Sequence, residues 1–116
     1  MKACERWPKG HVDAAYYEPV ISAVPALILS GDLDPVTPPS WGEAVARHLT
    51  NGTHIIVPGT GHSVINTGCG ARLVHDFITR GSAEGLDRGC LHALRRPPFF
   101  STPAGPDPAA RQTPDQ

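Results

Sequence analysis

Two apolar runs of strand length, each stopped by glycine, constrain this chain more than any other feature. They are "PALILSG" (25–31) and "THIIVPG" (53–59). A short continuous apolar run ending in a turn signal marks a strand covered on both faces, as in a parallel sheet. Between them, Trp41, Val45 and His48/Leu49 recur at helical spacing, which predicts a helix with one apolar face. Its start has two readings. Thr37 can cap it with Pro38 at the first helical position, or Ser40 and Glu43 can form a capping box. "LTNGT" (49–53) reads as its end, with Asn51-Gly52 as a left-handed stop. A second helix is expected over about 69–80, with Leu73, Val74, Phe77 and Ile78 on one face and Gly81 as its end.

The order strand, helix, strand, helix predicts an α/β fold with parallel strands. Two parallel strands need both faces covered and both edges paired. The 116 residues hold too little core for that, so the expected architecture is one end of a larger sheet, incomplete on its own. No internal repeat is evident.

Composition narrows the function classes. The formal net charge is −1 with Lys and Arg scattered, so no basic stripe offers itself to nucleic acid. The apolar runs are too short to span a bilayer. "MKACERWPKG" has a lysine but no apolar stretch after it, so it does not read as a secretory signal, and localisation stays open. Three cysteines, Cys4, Cys69 and Cys90, leave two readings. They are three reduced thiols, or a Cys69–Cys90 bridge in an exported protein with Cys4 seeking a partner elsewhere. The six histidines (11, 48, 54, 62, 75 and 92) show no ligand spacing such as two on one helical face, and no C-x-x-C accompanies them. No metal site is expected.

The chemistry lies where the strands end. The first strand delivers Gly31-Asp32-Leu33-Asp34, and the second delivers Gly59-Thr60-Gly61-His62. In open α/β sheets the working residues sit on loops leaving the carboxyl ends of strands. Adjacent parallel strands lie about 4.8 Å apart, so side chains on the two loops can hydrogen-bond. Taken singly, an Asp before Pro is a turn former and a loop His a solvent-facing residue. Taken together, Asp34 and His62 have the order and placement of the acid and base of a nucleophile-activating triad. The flanking glycines let the backbone turn sharply and leave the imidazole uncrowded.

From residue 25 to 69 the chain resembles the C-terminal part of α/β-hydrolases of the tripeptidyl-aminopeptidase-like (TAP-like) type, close to the proline iminopeptidases. Gly31, Asp34 and Pro38 meet a G-x-x-D-x-x-x-P pattern, and Gly59, Gly61 and His62 meet G-x-G-H. The resemblance extends over about 17–100, and "LDPVTPP", "GTGHS" and the late cysteines carry it towards the TAP-like branch. It implies a catalytic acid at Asp34 rather than Asp32 and a base at His62. It also implies a structural role for Cys69, no cofactor, and a peptide or small ester or amide as substrate. On this reading 1–24 leads into the hydrolase core, 25–100 is its C-terminal portion, and 101–116 is a disordered Pro-rich tail.

The expected nucleophile is missing. The family's serine sits in a G-x-S-x-G elbow upstream of the acid, and no serine here (22, 30, 40, 63, 82 or 101) has glycine at both positions. Ser63 is next to His62, but sequence neighbours rarely point at one another. Cys69, at a helix start that would lower its thiol pKa, is the other candidate substitute. The resemblance therefore implies a C-terminal fragment of a serine hydrolase of aminopeptidase type, inactive alone, whose partner is the remainder of the hydrolase domain. The alternative is a non-catalytic fragment or interaction module that pairs with a separate N-terminal half.

Overall fold

The structure is a computed structural model describing residues 5–95, 100 and 103–105. Cys4 and nearly all of the expected 101–116 tail lie outside the described residues. Strand β1 (Ala26–Gly31) pairs in parallel with β2 (Gly52–Val57), in a register that sets Ala26 opposite Gly52 and Gly31 opposite Val57. Helix α1 (Pro39–Ala46) connects them, and helix α2 (Gly68–Arg80) follows β2. Short 3-10 helices cover Ala14–Tyr17, Val64–Asn66 and Gly89–Ala93. This is the parallel α/β piece the run order predicts. The sheet is two-stranded among the described residues, so each strand keeps an unpaired edge and the piece is small and incomplete.

The core lies between one sheet face and α2. Ile55 and Val57 of β2 meet Val64, Cys69 and Leu73, and Leu86, beyond the end of α2, closes the cluster. Leu73 and Val57 are fully buried, each worth roughly 1.5–3 kcal/mol of removal from water. Thr67 caps α2 by accepting from the Gly70 amide at 2.9 Å, and Gly81 ends it in the left-handed region with φ 67°. A disulfide between Cys69 and Cys90, whose Cα atoms are 5.6 Å apart, ties the first turn of α2 to Gly89–Ala93. Of the two cysteine readings, the structure thus has the bridge. Ile78 departs from the expected α2 face. It is 71% exposed because the cluster takes only Cys69, Leu73 and Phe77 from α2, leaving the side that carries Ile78 bare.

Helix α1 corrects three expectations. It opens at Pro39, with Pro38 as an N-cap that makes no side-chain bond, so neither Thr37 nor Ser40 caps it. A residue before proline is disfavoured in the helical region, which keeps Thr37 outside the helix. Trp41 and Val45 are 61% and 52% exposed. The helix instead meets the sheet through Gly42, where an added Cβ would stand 2.5 Å from His54 Nε2 and 2.8 Å from Ser30 Oγ. Small residues on that side let the helix approach closely, which turns the large apolar ones outward. Nor does Asn51-Gly52 form a left-handed stop, since Gly52 lacks a positive φ. The chain leaves α1 at Arg47, and a parallel bridge between Ser22 and Leu49 redirects it. Gly52 then packs against Leu49, whose Cβ would be 2.7 Å from an added one.

Candidate active site

Both functional loops leave the carboxyl ends of the paired strands, and backbone bonds hold them together. The Asp32 amide donates to the Val57 carbonyl at 3.2 Å and the Leu33 amide to that of Thr60 at 3.0 Å. The Thr60 amide donates to Asp32 Oδ1 at 3.2 Å. Gly59 turns the second loop with φ 66°, a conformation that favours glycine. Gly31 is needed for space, because an added Cβ would collide with the Thr60 and Gly61 carbonyls. Gly61 has open space around it, so it leaves the neighbouring imidazole uncrowded.

Asp34 is folded inward. Its Oδ1 accepts from the amides of Val36 at 2.8 Å and Thr37 at 3.1 Å, so the loop wraps around the carboxylate. Its Oδ2 accepts from Thr37 Oγ1 at 2.6 Å and from His62 Nδ1 at 2.9 Å. The Thr37 hydroxyl, above all, holds the Asp34 carboxyl far below the usual carboxylate range. Burial pushes the other way, and the bonds from His62 and the two amides add to the lowering.

An ionised carboxylate beside Nδ1 requires the proton on that nitrogen, so the network assigns the Nδ1–H tautomer to His62. The His62 side chain is 61% exposed while that of Asp34 is 3% exposed. Nε2, the free lone pair of this tautomer, makes no hydrogen bond among the described residues. The arrangement is a buried anion holding an exposed base, which can take a proton from a group presented to Nε2 and return it.

Thus the structure brings Asp34 and His62 into direct contact, while Asp32 is committed to the Thr60 amide. Cys69 is engaged in the disulfide and Ser30 in a 2.9 Å bond to His54 on the opposite sheet face. Sequence reasoning missed Thr37 as a member of this cluster, reading it only as a helix cap. Its position three residues after Asp34 and directly before Pro38 is the signal that places it there.

A family model described as TAP-like protein matches residues 1–90. The chain belongs to the TAP-like family of α/β-hydrolases. The match spans both strand-end loops, α2 and Cys90, so the TAP-like region includes the Asp34–His62 pair and the disulfide. No curated protein and no solved structure gives a significant match.

Proposed function

We propose that this TAP-like chain supplies the acid and base of a Ser–Asp–His triad in a serine hydrolase of aminopeptidase type, with the nucleophile contributed from outside these 116 residues. The observation that carries this is the 2.9 Å contact between His62 Nδ1 and the buried Asp34 Oδ2, which leaves Nε2 facing outward. In the assembled enzyme, Nε2 takes the serine hydroxyl proton as the serine oxygen bonds to the substrate carbonyl carbon. The imidazolium then gives that proton to the leaving amine as the amide bond breaks. A water deprotonated by Nε2 hydrolyses the acyl-enzyme and restores the serine. Asp34 holds the ring and stabilises its charged form. The substrates are peptides, or small esters and amides, and the chemistry needs no cofactor.

The test combines this chain with the nucleophile-bearing part of a TAP-like hydrolase and follows release of p-nitroaniline from aminoacyl p-nitroanilides. Hydrolysis that needs both parts and is lost with His62→Gln supports the reading. Equal rates with the wild-type chain and His62→Gln overturn it. A second reading, a non-catalytic module that pairs with another hydrolase half, is favoured by the exposed Trp41 and Val45 and the unpaired strand edges. Stable association without His62-dependent hydrolysis selects it.

A further inference from the structure

His62 presents a bare ring nitrogen to the outside and rests on a buried anion. Its side chain is 61% exposed, Nδ1 lies 2.9 Å from Asp34 Oδ2, and Nε2 makes no hydrogen bond among the described residues. We propose that His62 is itself a nucleophile, so that this chain hydrolyses activated aryl esters through the Asp34–His62 pair with no serine taking part. The activity rests on the contact that carries the acid–base reading, and not on the serine which that reading places outside the chain.

Of the six histidines, His62 has a setting the others lack. His11, His48, His75 and His92 are exposed, but none pairs with a carboxylate among the described residues. His54 has its Nε2 in the 2.9 Å contact with Ser30 Oγ, against Gly42 of α1. At His62 the carboxylate keeps the proton on Nδ1, so the lone pair needed for attack sits on Nε2. Asp34 also stabilises the positive charge that the ring gains when Nε2 bonds to carbon. Its own place is fixed, because Oδ1 accepts from the Val36 and Thr37 amides.

The reaction balances with one ester and one water. The Nε2 lone pair bonds to the ester carbonyl carbon and the carbonyl π electrons move to oxygen. The adduct collapses, the carbon–oxygen bond to the aryl group breaks, and the aryloxide leaves with its electron pair. An acylimidazolium remains on His62, with Nδ1–H still donated to Asp34. Water adds to the acyl carbon and loses a proton to solvent. The carbon–Nε2 bond then breaks, its electrons return to Nε2, and the products are a carboxylic acid and a phenol. The leaving group sets the substrate class. An aryloxide competes with imidazole for expulsion from the adduct. An amide nitrogen does not, so an amide adduct expels the ring and reverts. Aminoacyl p-nitroanilides therefore stay intact with this chain alone.

The experiment follows p-nitrophenolate release from p-nitrophenyl acetate at neutral pH by the full chain, as wild type, His62→Gln, Asp34→Asn and His75→Gln. A hydrogen bond to a charged group sets the expected advantage of His62 over an unpaired exposed histidine at roughly 10- to 100-fold. Even the lower figure outweighs the four exposed unpaired histidines. After subtraction of the buffer rate, His62→Gln should therefore lower release at least about threefold. Asp34→Asn should fall to nearly the same level, while His75→Gln should stay close to wild type, with circular dichroism as the control for folding. A second measurement needs no substitution. Brief exposure of the wild type to diethyl pyrocarbonate, an acyl donor, should place the ethoxyformyl group on His62 ahead of His11, His48, His75 and His92, as read by peptide mass spectrometry. Equal rates for wild type and a folded His62→Gln chain, or labelling of His62 no faster than of those four, overturns the proposal. Ester hydrolysis by the chain alone without anilide hydrolysis by the two-part enzyme sinks the triad reading and leaves this one standing. The converse sinks this one alone.

Discussion

The Thr60 amide donates to Asp32 Oδ1 across the two strand-end loops at 3.2 Å, so one loop aspartate staples the backbone while Asp34, two positions on, holds the imidazole. Two carboxylates on one turn thus do different work, and single substitutions separate them. Asp32→Ala removes one bond between the loops, leaving the Leu33 amide to Thr60 carbonyl bond in place. The expected cost is about 1 kcal/mol in urea unfolding, with the His62 tautomer unchanged. Asp34→Asn should reverse that pattern at the ring, mixing the tautomers and lowering kcat of a reconstituted enzyme by roughly 10⁴-fold. Equal effects of the two changes on the His62 ring signals would contradict the division of labour.

The low-held carboxyl of Asp34 makes stability depend on pH with a definite sign. Its folded pKa is depressed, first by the Thr37 hydroxyl and then by His62 and the two amides, against the opposing effect of burial. The unfolded chain therefore binds the proton more readily than the folded one. The stabilisation is complete above the unfolded carboxylate value of about 3.9 and is lost as pH falls from there through the folded value. Urea unfolding of the wild type and Asp34→Asn at stepped pH should show a gap that is widest near neutrality and narrows below about pH 4. A gap that widens in acid would mean that Asp34 is not stabilised as the anion.

What was legible in the sequence is what a periodic pattern or a turn residue encodes locally. The two apolar runs gave strands within two residues of their observed bounds, and Gly81 marked the end of α2. The G-x-x-D and G-x-G-H spacings pointed to the two side chains that meet at 2.9 Å. The orientation of α1 was not legible, because helical spacing identifies an apolar stripe without saying whether the sheet prefers it to a smooth side. Here the close approach of Gly42 to His54 and Ser30 decides, and Trp41 faces out. Thr37 was hidden by its own ambiguity. A threonine before Pro-Pro suits a helix cap, and its His62 partner is fixed only when two loops 25 residues apart are brought together. The bridge between Cys69 and Cys90 was one of two open readings because spacing alone does not fix thiol distance.

That bridge closes a loop of 21 residues in sequence separation, from the first turn of α2 to the 3-10 helix Gly89–Ala93. In the chain-entropy model a loop of this size contributes roughly 3 kcal/mol by restricting the unfolded chain. Dithiothreitol should therefore lower the urea midpoint, and a Cys69→Ser/Cys90→Ser chain should unfold at the same lowered midpoint with no further response to reductant. Thiol titration of the denatured, unreduced chain should find one reactive group, rising to three on reduction, since two of the three cysteines are joined. Three thiols before reduction would contradict the bridge.

Gly42 offers the sharpest packing test, because two effects of one substitution oppose each other. In an exposed helix, glycine to alanine is stabilising by about 1 kcal/mol, through lower backbone entropy in the unfolded chain. At Gly42 the new Cβ would stand 2.5 Å from His54 Nε2 and 2.8 Å from Ser30 Oγ, well inside van der Waals contact. Both atoms belong to the 2.9 Å His54–Ser30 bond on that sheet face, so neither can retreat without stretching or breaking it. Overpacking of this kind costs roughly 1–3 kcal/mol and outweighs the helix gain where the bond also breaks. Gly42→Ala should therefore lower the thermal midpoint, whereas Gly42→Ala with His54→Ala should recover much of the loss by vacating the space. Gly61→Ala, with nothing near its added Cβ, is the control and should leave the midpoint nearly unchanged. A stabilised Gly42→Ala chain would show that α1 does not rest on the sheet through this glycine.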